Sequence, residues 1–139
     1  MIDPWRRLRA LPGWELRWHS PQDDPDLGFT LFEEKVVSLR SDLTWEERRC
    51  TALHECLHAE WGPTLSGVLE ERQELRVRRE TARLLLPSID DVADALAWAL
   101  SLEEAAAELL VDVGVLRDRL RWLEPAERRH LRRRAGRAA

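Results

Sequence analysis

The chain has little or none of several residue types, and each shortage limits what the protein can be. Its 139 residues include two cysteines, one lysine and no tyrosine. Cys50 and Cys56 lie six apart in one predicted helix, a spacing badly suited to a disulfide between them. The pair therefore predicts free thiols in a reducing compartment and no disulfide-dependent scaffold.

Long apolar runs are absent as well. No stretch reaches the roughly 18 consecutive apolar residues that span a bilayer, and MIDPWRRLRALPG lacks an apolar run of signal-peptide length. The formal net charge of -4 creates no overall field that would attract nucleic acid or an acidic membrane. We therefore expect a cytoplasmic protein without membrane association, folded as one compact domain because 44% of its residues are hydrophobic.

What the chain does contain begins with a helix signal and three extended stretches. Asp3 followed by Pro4 is typical of an N-cap and first helical position, so PWRRLRAL predicts a short helix that stops at Pro12-Gly13. The stretches WELRWHS, LGFTLFE and KVVSLRS contain clustered β-branched and aromatic residues, and a polar, proline-broken loop separates the first two. They predict a small, mostly antiparallel sheet.

From Thr44 onward the pattern becomes helical. Thr44 and Glu47 form a capping box, in which each side chain hydrogen-bonds the backbone of the other at the start of a helix. Prolines mark several helix ends, since the residue before a proline disfavours helical geometry. The predicted helices run from Trp45 to Trp61, from Ser66 to Leu86, from Ser88, from Ser101 and from about Val115 to Leu123.

Two of the four histidines lie in the first of these helices, in the string HECLH. Residues four apart on a helix lie about 6 Å apart on one face, so His54 and His58 can converge on one metal ion. Glu55 lies about 100° round the helix, near enough to reach a water on that metal and act as its general base. The alternative is an ordinary amphipathic helix with two half-exposed histidines. The predicted core face beside them consists of Cys50, Leu53, Leu57 and Trp61.

A third ligand is needed, because a catalytic zinc ion usually has three protein ligands and one open position. On the next predicted helix, Glu74 falls near the middle of an apolar arc, where an unpaired carboxylate would be costly to bury. A zinc ion held by His54 and His58 would remove that cost. Glu74 is therefore the predicted third ligand and Glu71 the reserve, and an ion pair between Glu74 and Arg78 is the alternative explanation.

The segments LTWEERRCTALHECLHAEWGP and EERQELRVRRETARLLLP resemble the ImmA/IrrE family of bacterial and phage metallo-endopeptidases, over roughly residues 28–87. The resemblance implies an α+β, zincin-like metallopeptidase domain that binds Zn²⁺ through His54 and His58 and uses Glu55 as the base. It also implies a protein substrate, a helix-turn-helix repressor of a mobile element, prophage or stress regulon. Family members often have a glutamate followed directly by alanine in the second helix; here Arg76-Val77 occupies that place and Glu74 lies two residues earlier.

The C-terminal part suggests a different function. SLEEAAAELLVDVGVLRDRLRWL predicts two helices joined by a turn at Gly114, as in a DNA-reading helix-turn-helix. Asp112 and Asp118 would repel phosphate, which favours a helical hairpin packed on the rest of the protein. The arginines of its second helix are Arg117, Arg119 and Arg121.

The predicted organisation is a zincin-like core over residues 1–87 and a helical extension over 88–139 packed on it. The basic tail from Arg128 to Arg137 is predicted to be a solvated, frayed terminus. The favoured function is zinc-dependent endopeptidase, with direct DNA binding playing no part. The rival is a non-catalytic DNA-binding or protein-interaction regulator that uses the zinc fold as a scaffold. Oligomeric state stays open.

Overall fold

A computed structural model describes the backbone of residues 1–138 and the side chains of residues 1–135. These residues form seven helices and three strands, so the predicted α+β class is confirmed. In chain order the elements are α1 (Pro4–Arg9), β1 (Glu15–His19), β2 (Gly28–Leu31), β3 (Val36–Arg40), α2 (Trp45–Trp61), α3 (Val68–Leu85), α4 (Ile89–Trp98), α5 (Leu102–Glu108), α6 (Val113–Arg121) and α7 (Pro125–Ala138).

The sheet is mixed, so the prediction of a mostly antiparallel sheet is wrong. Its strand order is β1-β3-β2, with β3 parallel to β1 and antiparallel to β2. Residues 32–35 join β2 to β3 as a short turn, which makes these two strands a hairpin. β3 takes the central place because Val36, Val37 and Leu39 are fully buried, whereas β1 is mostly exposed at one edge.

α2 begins and ends where the sequence predicted. The hydroxyl of Thr44 accepts a hydrogen bond from the Glu47 backbone N–H at 3.2 Å, and the Glu47 carboxylate accepts one from the Thr44 N–H at 3.0 Å. This reciprocal cap satisfies two N–H groups that the first helical turn leaves free. The helix ends at Trp61 because Gly62 adopts a φ of 82°, a left-handed conformation that glycine enters without a steric penalty.

α3 is slightly shorter than predicted. It starts at Val68, since Gly67 is the N-cap with a φ of 82°, and Ser66 lies in the preceding loop. It ends at Leu85, two residues before Pro87. The loop between α2 and α3 therefore has a glycine in left-handed geometry at each end.

α2 is buried on two sides by two hydrophobic clusters. Leu53 and Leu57 belong to the larger cluster, which joins α2 and α3 to α4, α5 and α6. Ala52 and Cys56 belong to the smaller cluster, which joins α2 to α1 and β3. Trp61 was predicted on the core face but is 40% exposed, because it occupies the last helical position beyond the packed turns. Since the larger cluster includes residues before and after Pro87, apolar packing continues across the predicted domain boundary.

Helices α5 and α6 form the predicted hairpin, but the turn between them lies at Leu110 and not at Gly114. The left-handed residue is Leu110, with a φ of 61°, and the Asp112 carboxylate caps α6 by accepting the Val115 N–H at 2.8 Å. Gly114 therefore lies inside α6, and its predicted role in the turn is wrong. Leu116 is fully buried against the larger cluster.

The basic tail is helical, which corrects the prediction of a frayed terminus. α7 starts at Pro125, a residue favoured at the first helical position, and packs beside α4. His130 contacts Asp90, and Arg134 contacts Asp94. These acidic residues lie on one face of α4, so charge pairing orders the segment. No helix among the described residues is long and apolar enough to cross a membrane.

Candidate metal centre

The two histidines of HECLH and the predicted third ligand meet on neighbouring helices. His54 and His58 project from the same side of α2, with ring centroids 5.0 Å apart. Glu74 of α3 lies opposite, with Oε1 at 3.0 Å from the His54 Nε2 and Oε2 at 2.7 Å from the His58 Nε2. The side chains are 22% and 16% exposed for the histidines and 46% for Glu74, so the group is open to a cleft.

These three residues, the three-donor group, could hold a metal ion. Each offers one ligand atom, and the ligand atoms all lie within 4.8 Å of one another. Two imidazole nitrogens and one carboxylate oxygen form a donor set typical of catalytic zinc sites, which keep a further position open. The residue types and their separation fit a bound metal ion.

Electrostatics within the group favour an ionised carboxylate. Hydrogen bonds from His54 and His58 hold the pKa of Glu74 well below its usual range, against the opposing effect of burial. Burial alone would lower the pKa of His58, but its hydrogen bond to Glu74 and the charges of Glu55 and Glu74 outweigh burial and raise it. The carboxylate is thus held in the form that ligates metals.

Glu55, the predicted base, lies beside this group and is only 7% exposed. The Thr30 hydroxyl, from β2, lies 3.0 Å from the Glu55 Oε2 and 3.3 Å from the Glu55 backbone oxygen. Burial raises the pKa of Glu55, while the charges of His54 and His58 and the Thr30 hydrogen bond oppose the rise. A carboxyl group with a raised pKa is suited to taking up a proton and giving it back.

Sequence reasoning missed Thr30 and Gly28, both on β2. A Cβ atom built on Gly28 would lie 2.6 Å from Cγ2 of Thr51 and 3.1 Å from Cγ of Glu55. The glycine therefore permits the close approach of β2 to α2 that brings Thr30 to Glu55. The one available signal was a glycine inside a strand pattern, which often marks a close backbone approach.

The three-donor group lies between two cavities. The larger cavity, of about 1070 Å³, extends along the loop before α3, and the smaller cavity, of about 500 Å³, extends towards α6. Both are lined by Gly28, Glu55 and Glu74. An extended chain lying through both cavities would therefore pass the Glu55 carboxylate and the metal donors.

Among the described residues, neither Glu71 nor Arg78 takes part in the three-donor group. Glu71 lines the larger cavity and is not part of the three-donor group. Arg78 donates to Asp118 at 3.1 Å and 2.7 Å. The pair of Glu74 with Arg78 that the sequence left open is therefore absent from the described residues, and the histidines contact Glu74 instead.

The arginines of the C-terminal hairpin are only partly available to a partner. Arg119 is 1% exposed and donates to the carboxylate of Glu127 and, at 2.7 Å, to the Leu86 carbonyl oxygen. A guanidinium that is buried and bonded inside the protein cannot contact a phosphate. Arg117 and Arg121 are exposed. The hairpin thus uses its central arginine for packing, which weakens the DNA-reading alternative.

Comparisons of the chain with models of protein families, with curated proteins and with solved structures find no match.

Proposed function

We propose that the protein is a zinc-dependent endopeptidase. The observation that carries the proposal is the convergence of His54, His58 and Glu74, with Glu55 beside them, at the meeting point of two cavities. A His₂Glu donor set that leaves a coordination position open is typical of catalytic zinc, whereas structural zinc sites are usually closed by four protein ligands. The resemblance of residues 28–87 to the ImmA/IrrE family supports the same zincin-like assignment.

In this mechanism His54, His58 and Glu74 hold the zinc ion. When bound, zinc supplies Lewis acidity, which lowers the pKa of water and polarises a peptide carbonyl. Glu55 takes a proton from the attacking water on its carboxylate and later transfers it to the nitrogen of the leaving amine. Thr30 holds one oxygen of that carboxylate, which leaves the other for proton transfer.

The proposed substrate is a helix-turn-helix transcriptional repressor of a mobile element, prophage or stress regulon, in a cytoplasmic setting. Support comes from the family resemblance and from the cleft, because a chain lying in both cavities would cross the centre. The buried Arg119 and its contact with Glu127 favour a packing role for the C-terminal hairpin over direct reading of DNA.

The test combines metal content with cleavage. Elemental mass spectrometry on the untagged protein should find about one zinc per chain, strongly reduced in His54→Ala and Glu74→Ala. Glu55→Gln should retain the zinc and lose peptidase activity by about 10²- to 10⁴-fold, the usual contribution of a general base. The readout of activity is cleavage of helix-turn-helix repressors that are co-expressed with the protein one at a time.

Two results would contradict the proposal. A wild-type protein that takes up no zinc after reconstitution would reduce HECLH to an ordinary helix and favour the regulator alternative. Unchanged cleavage by Glu55→Gln would remove the proposed base from the mechanism. Glu80→Gln is the matched control, since Glu80 lies on α3 but lines neither cavity.

A further inference from the structure

Both cavities at the metal centre are acidic, and the proposed reaction creates further negative charge between them. When water attacks a peptide carbonyl, the carbonyl oxygen becomes an anion. Neighbouring carboxylates would repel that anion unless a cation close to it offsets their charge. The carboxylates of the smaller cavity are Asp26, Glu55, Glu74, Asp112 and Asp118.

Arg78 is the one arginine or lysine that lines either cavity within residues 1–135. The other basic side chains on the cavity walls are His54 and His58, which belong to the three-donor group. The chain has no tyrosine whose hydroxyl could donate to an oxyanion. Arg78 is therefore the one cationic donor besides the proposed metal ligands that the described cavities offer.

The position of Arg78 brings its charge close to the centre. It lies four residues after Glu74 on α3, so the two side chains are neighbours on one face of the helix. It lines the smaller cavity together with His54, Glu55 and Glu74, and its side chain is 38% exposed. The hydrogen bond to Asp118 raises the pKa of Arg78, and the charge of Glu74 contributes to the rise. A ligand at the centre can thus meet a charged guanidinium.

Two contacts with the C-terminal helices hold this guanidinium in place. Its Nε and Nη2 donate to the two carboxylate oxygens of Asp118, at 3.1 Å and 2.7 Å. The Trp122 ring lies against it, with 5.7 Å between Cζ of Arg78 and the ring centroid. Nη1 keeps two N–H groups that have no hydrogen-bond partner within residues 1–135. A donor that is fixed before the reaction stabilises a developing charge without a cost of reorganisation.

We infer that Arg78 is a catalytic residue, which donates through Nη1 to the carbonyl oxygen of the scissile peptide as that oxygen becomes negative. The inference rests on the proposed function, to which it adds the group that stabilises the oxyanion besides the metal. It also gives the C-terminal helices a part in the reaction, since Asp118 and Trp122 position the guanidinium. The alternative is an ion pair that only braces α3 against α6, and the two roles predict different behaviour in variants.

The test measures anion binding on the full-length protein loaded with cobalt(II), whose visible absorption changes when a ligand binds the metal. The probe is inorganic phosphate, a tetrahedral anion like the product of water attack. The variants are Arg78→Met, which removes the guanidinium, and Asp118→Asn, which breaks the same ion pair but keeps the guanidinium. Arg79→Met is the matched control, because Arg79 is exposed on α3 and lines neither cavity. Elemental mass spectrometry should find the same cobalt content in all of these proteins.

Arg78→Met should weaken phosphate binding about tenfold, as expected for the loss of one hydrogen bond between charged groups. Asp118→Asn and Arg79→Met should weaken it by about twofold or less. Arg78→Lys should recover part of the loss, because it keeps the charge without the planar fork. Equal losses in Arg78→Met and Asp118→Asn would identify a brace, and equal losses in Arg78→Met and Arg79→Met a general effect of charge. Either result would overturn the inference.

Cleavage of a helix-turn-helix repressor by the zinc-loaded protein gives a second readout for Arg78→Met. Its kcat should fall about 10²-fold with little change in KM, as when one oxyanion donor is removed. An unchanged kcat, or a wild-type protein that binds cobalt but not phosphate, would overturn the inference and leave the proposed function standing. Phosphate binding that depends on Arg78, without any cleavage by the wild type, would overturn the catalytic role of Arg78 together with the peptidase proposal.

Discussion

Glu127 and Glu74 each lie against nitrogen donors, but the first carboxylate lies in a closed site and the second in an open one. Glu127 contacts the guanidinium of Arg119, which is 1% exposed, so this pair is closed off inside the C-terminal helices. Glu74 contacts the imidazoles of His54 and His58, and its side chain is 46% exposed in a cleft. In both places the nitrogen donors lower the pKa of the carboxyl group.

The difference lies in what the nitrogen partners can do next. A guanidinium is always charged and has no lone pair to offer, so the pair of Arg119 and Glu127 is complete and can only stabilise the fold. A neutral imidazole offers a lone pair to a metal, so His54, His58 and Glu74 can exchange their mutual contacts for an ion. Similar electrostatics therefore produce a structural pair in one place and a candidate metal site in the other.

The largest expected effect comes from breaking the closed pair. Arg119→Met leaves the Glu127 carboxylate partly buried without its main partner, and removing one member of a buried pair costs about 3–5 kcal/mol. Urea denaturation followed by far-ultraviolet circular dichroism should show this loss in the free energy of unfolding. The folded fraction should still bind zinc, since Arg119 does not touch the three-donor group.

Arg117→Met is the control for this loss. Arg117 lies on the same helix, is exposed and approaches Glu103 at 3.8 Å. Its removal should change the free energy of unfolding by about 0.5 kcal/mol or less. Equal losses in the two variants would show that the buried pair contributes no more to the free energy of unfolding than the exposed pair does.

The second largest expected effect is the loss of stability when acid protonates Glu127 and weakens its pair with Arg119. Contact with Arg119 lowers the pKa of Glu127 to about 2 in the folded protein, below its ordinary value. A lowered folded-state pKa means that the stabilisation is complete above the unfolded pKa of about 4.5 and disappears as the pH falls towards 2. The loss should approach roughly 3 kcal/mol.

The measurement is the free energy of unfolding from urea titrations between neutral pH and pH 2.5, on metal-free protein. Glu127→Gln should be less stable at neutral pH and lose less on acidification. Glu74→Gln should likewise remove part of the acid loss, because the histidines also lower the pKa of Glu74. A Glu127→Gln protein with the wild-type acid dependence would contradict the assignment.

Packing beside the open site gives a smaller expected effect. Gly28→Ala places a methyl group 2.6 Å from Cγ2 of Thr51 and close to Glu55, so β2 or α2 must shift. Overpacking of this kind should lower the free energy of unfolding by about 1–3 kcal/mol. It should also lower the rate of cleavage, because the shift displaces Glu55. Thr51→Ser removes the clashing methyl group, and the double variant should recover stability and activity. No recovery would show that the strain lies elsewhere.

The smallest expected effect is that of Glu71→Gln, which tests whether Glu71 or Glu74 is the third ligand. Glu71→Gln should leave zinc content unchanged, because Glu71 lies outside the three-donor group, whereas Glu74→Gln should reduce it. The measurement is zinc per chain after dialysis against a weak chelator. Zinc loss in Glu71→Gln with retention in Glu74→Gln would reverse the assignment.

Local pattern in the sequence was enough for the helices that carry the candidate site. The bounds of α2 followed from its capping box and from Gly62, since the groups that define a helix end lie within a few residues of each other. Helical spacing placed His54 and His58 on one face, and an apolar arc singled out Glu74. Each of these inferences needs only one helix at a time.

Features that depend on two distant elements were wrong or missed. The parallel pairing of β1 with β3 brings together strands separated by a whole third strand, and no local signal specifies it. α7 was missed because its order comes from Asp90 and Asp94 of α4, which pair with His130 and Arg134. The sequence offered Arg119 as an arginine of a possible DNA-reading helix, but its burial depends on Glu127 and the Leu86 carbonyl oxygen, which belong to other parts of the chain.

The sequence by itself determined the α+β class, the HECLH helix and the types of donor available, because these follow from periodicity and side-chain chemistry along single segments. Only the tertiary structure decided that Glu74 reaches both histidines, that Thr30 holds Glu55, and that two acidic cavities meet at the centre. The physical reason is that such contacts arise from packing between elements far apart in the chain, where burial and steric fit choose among many partners that the local pattern allows.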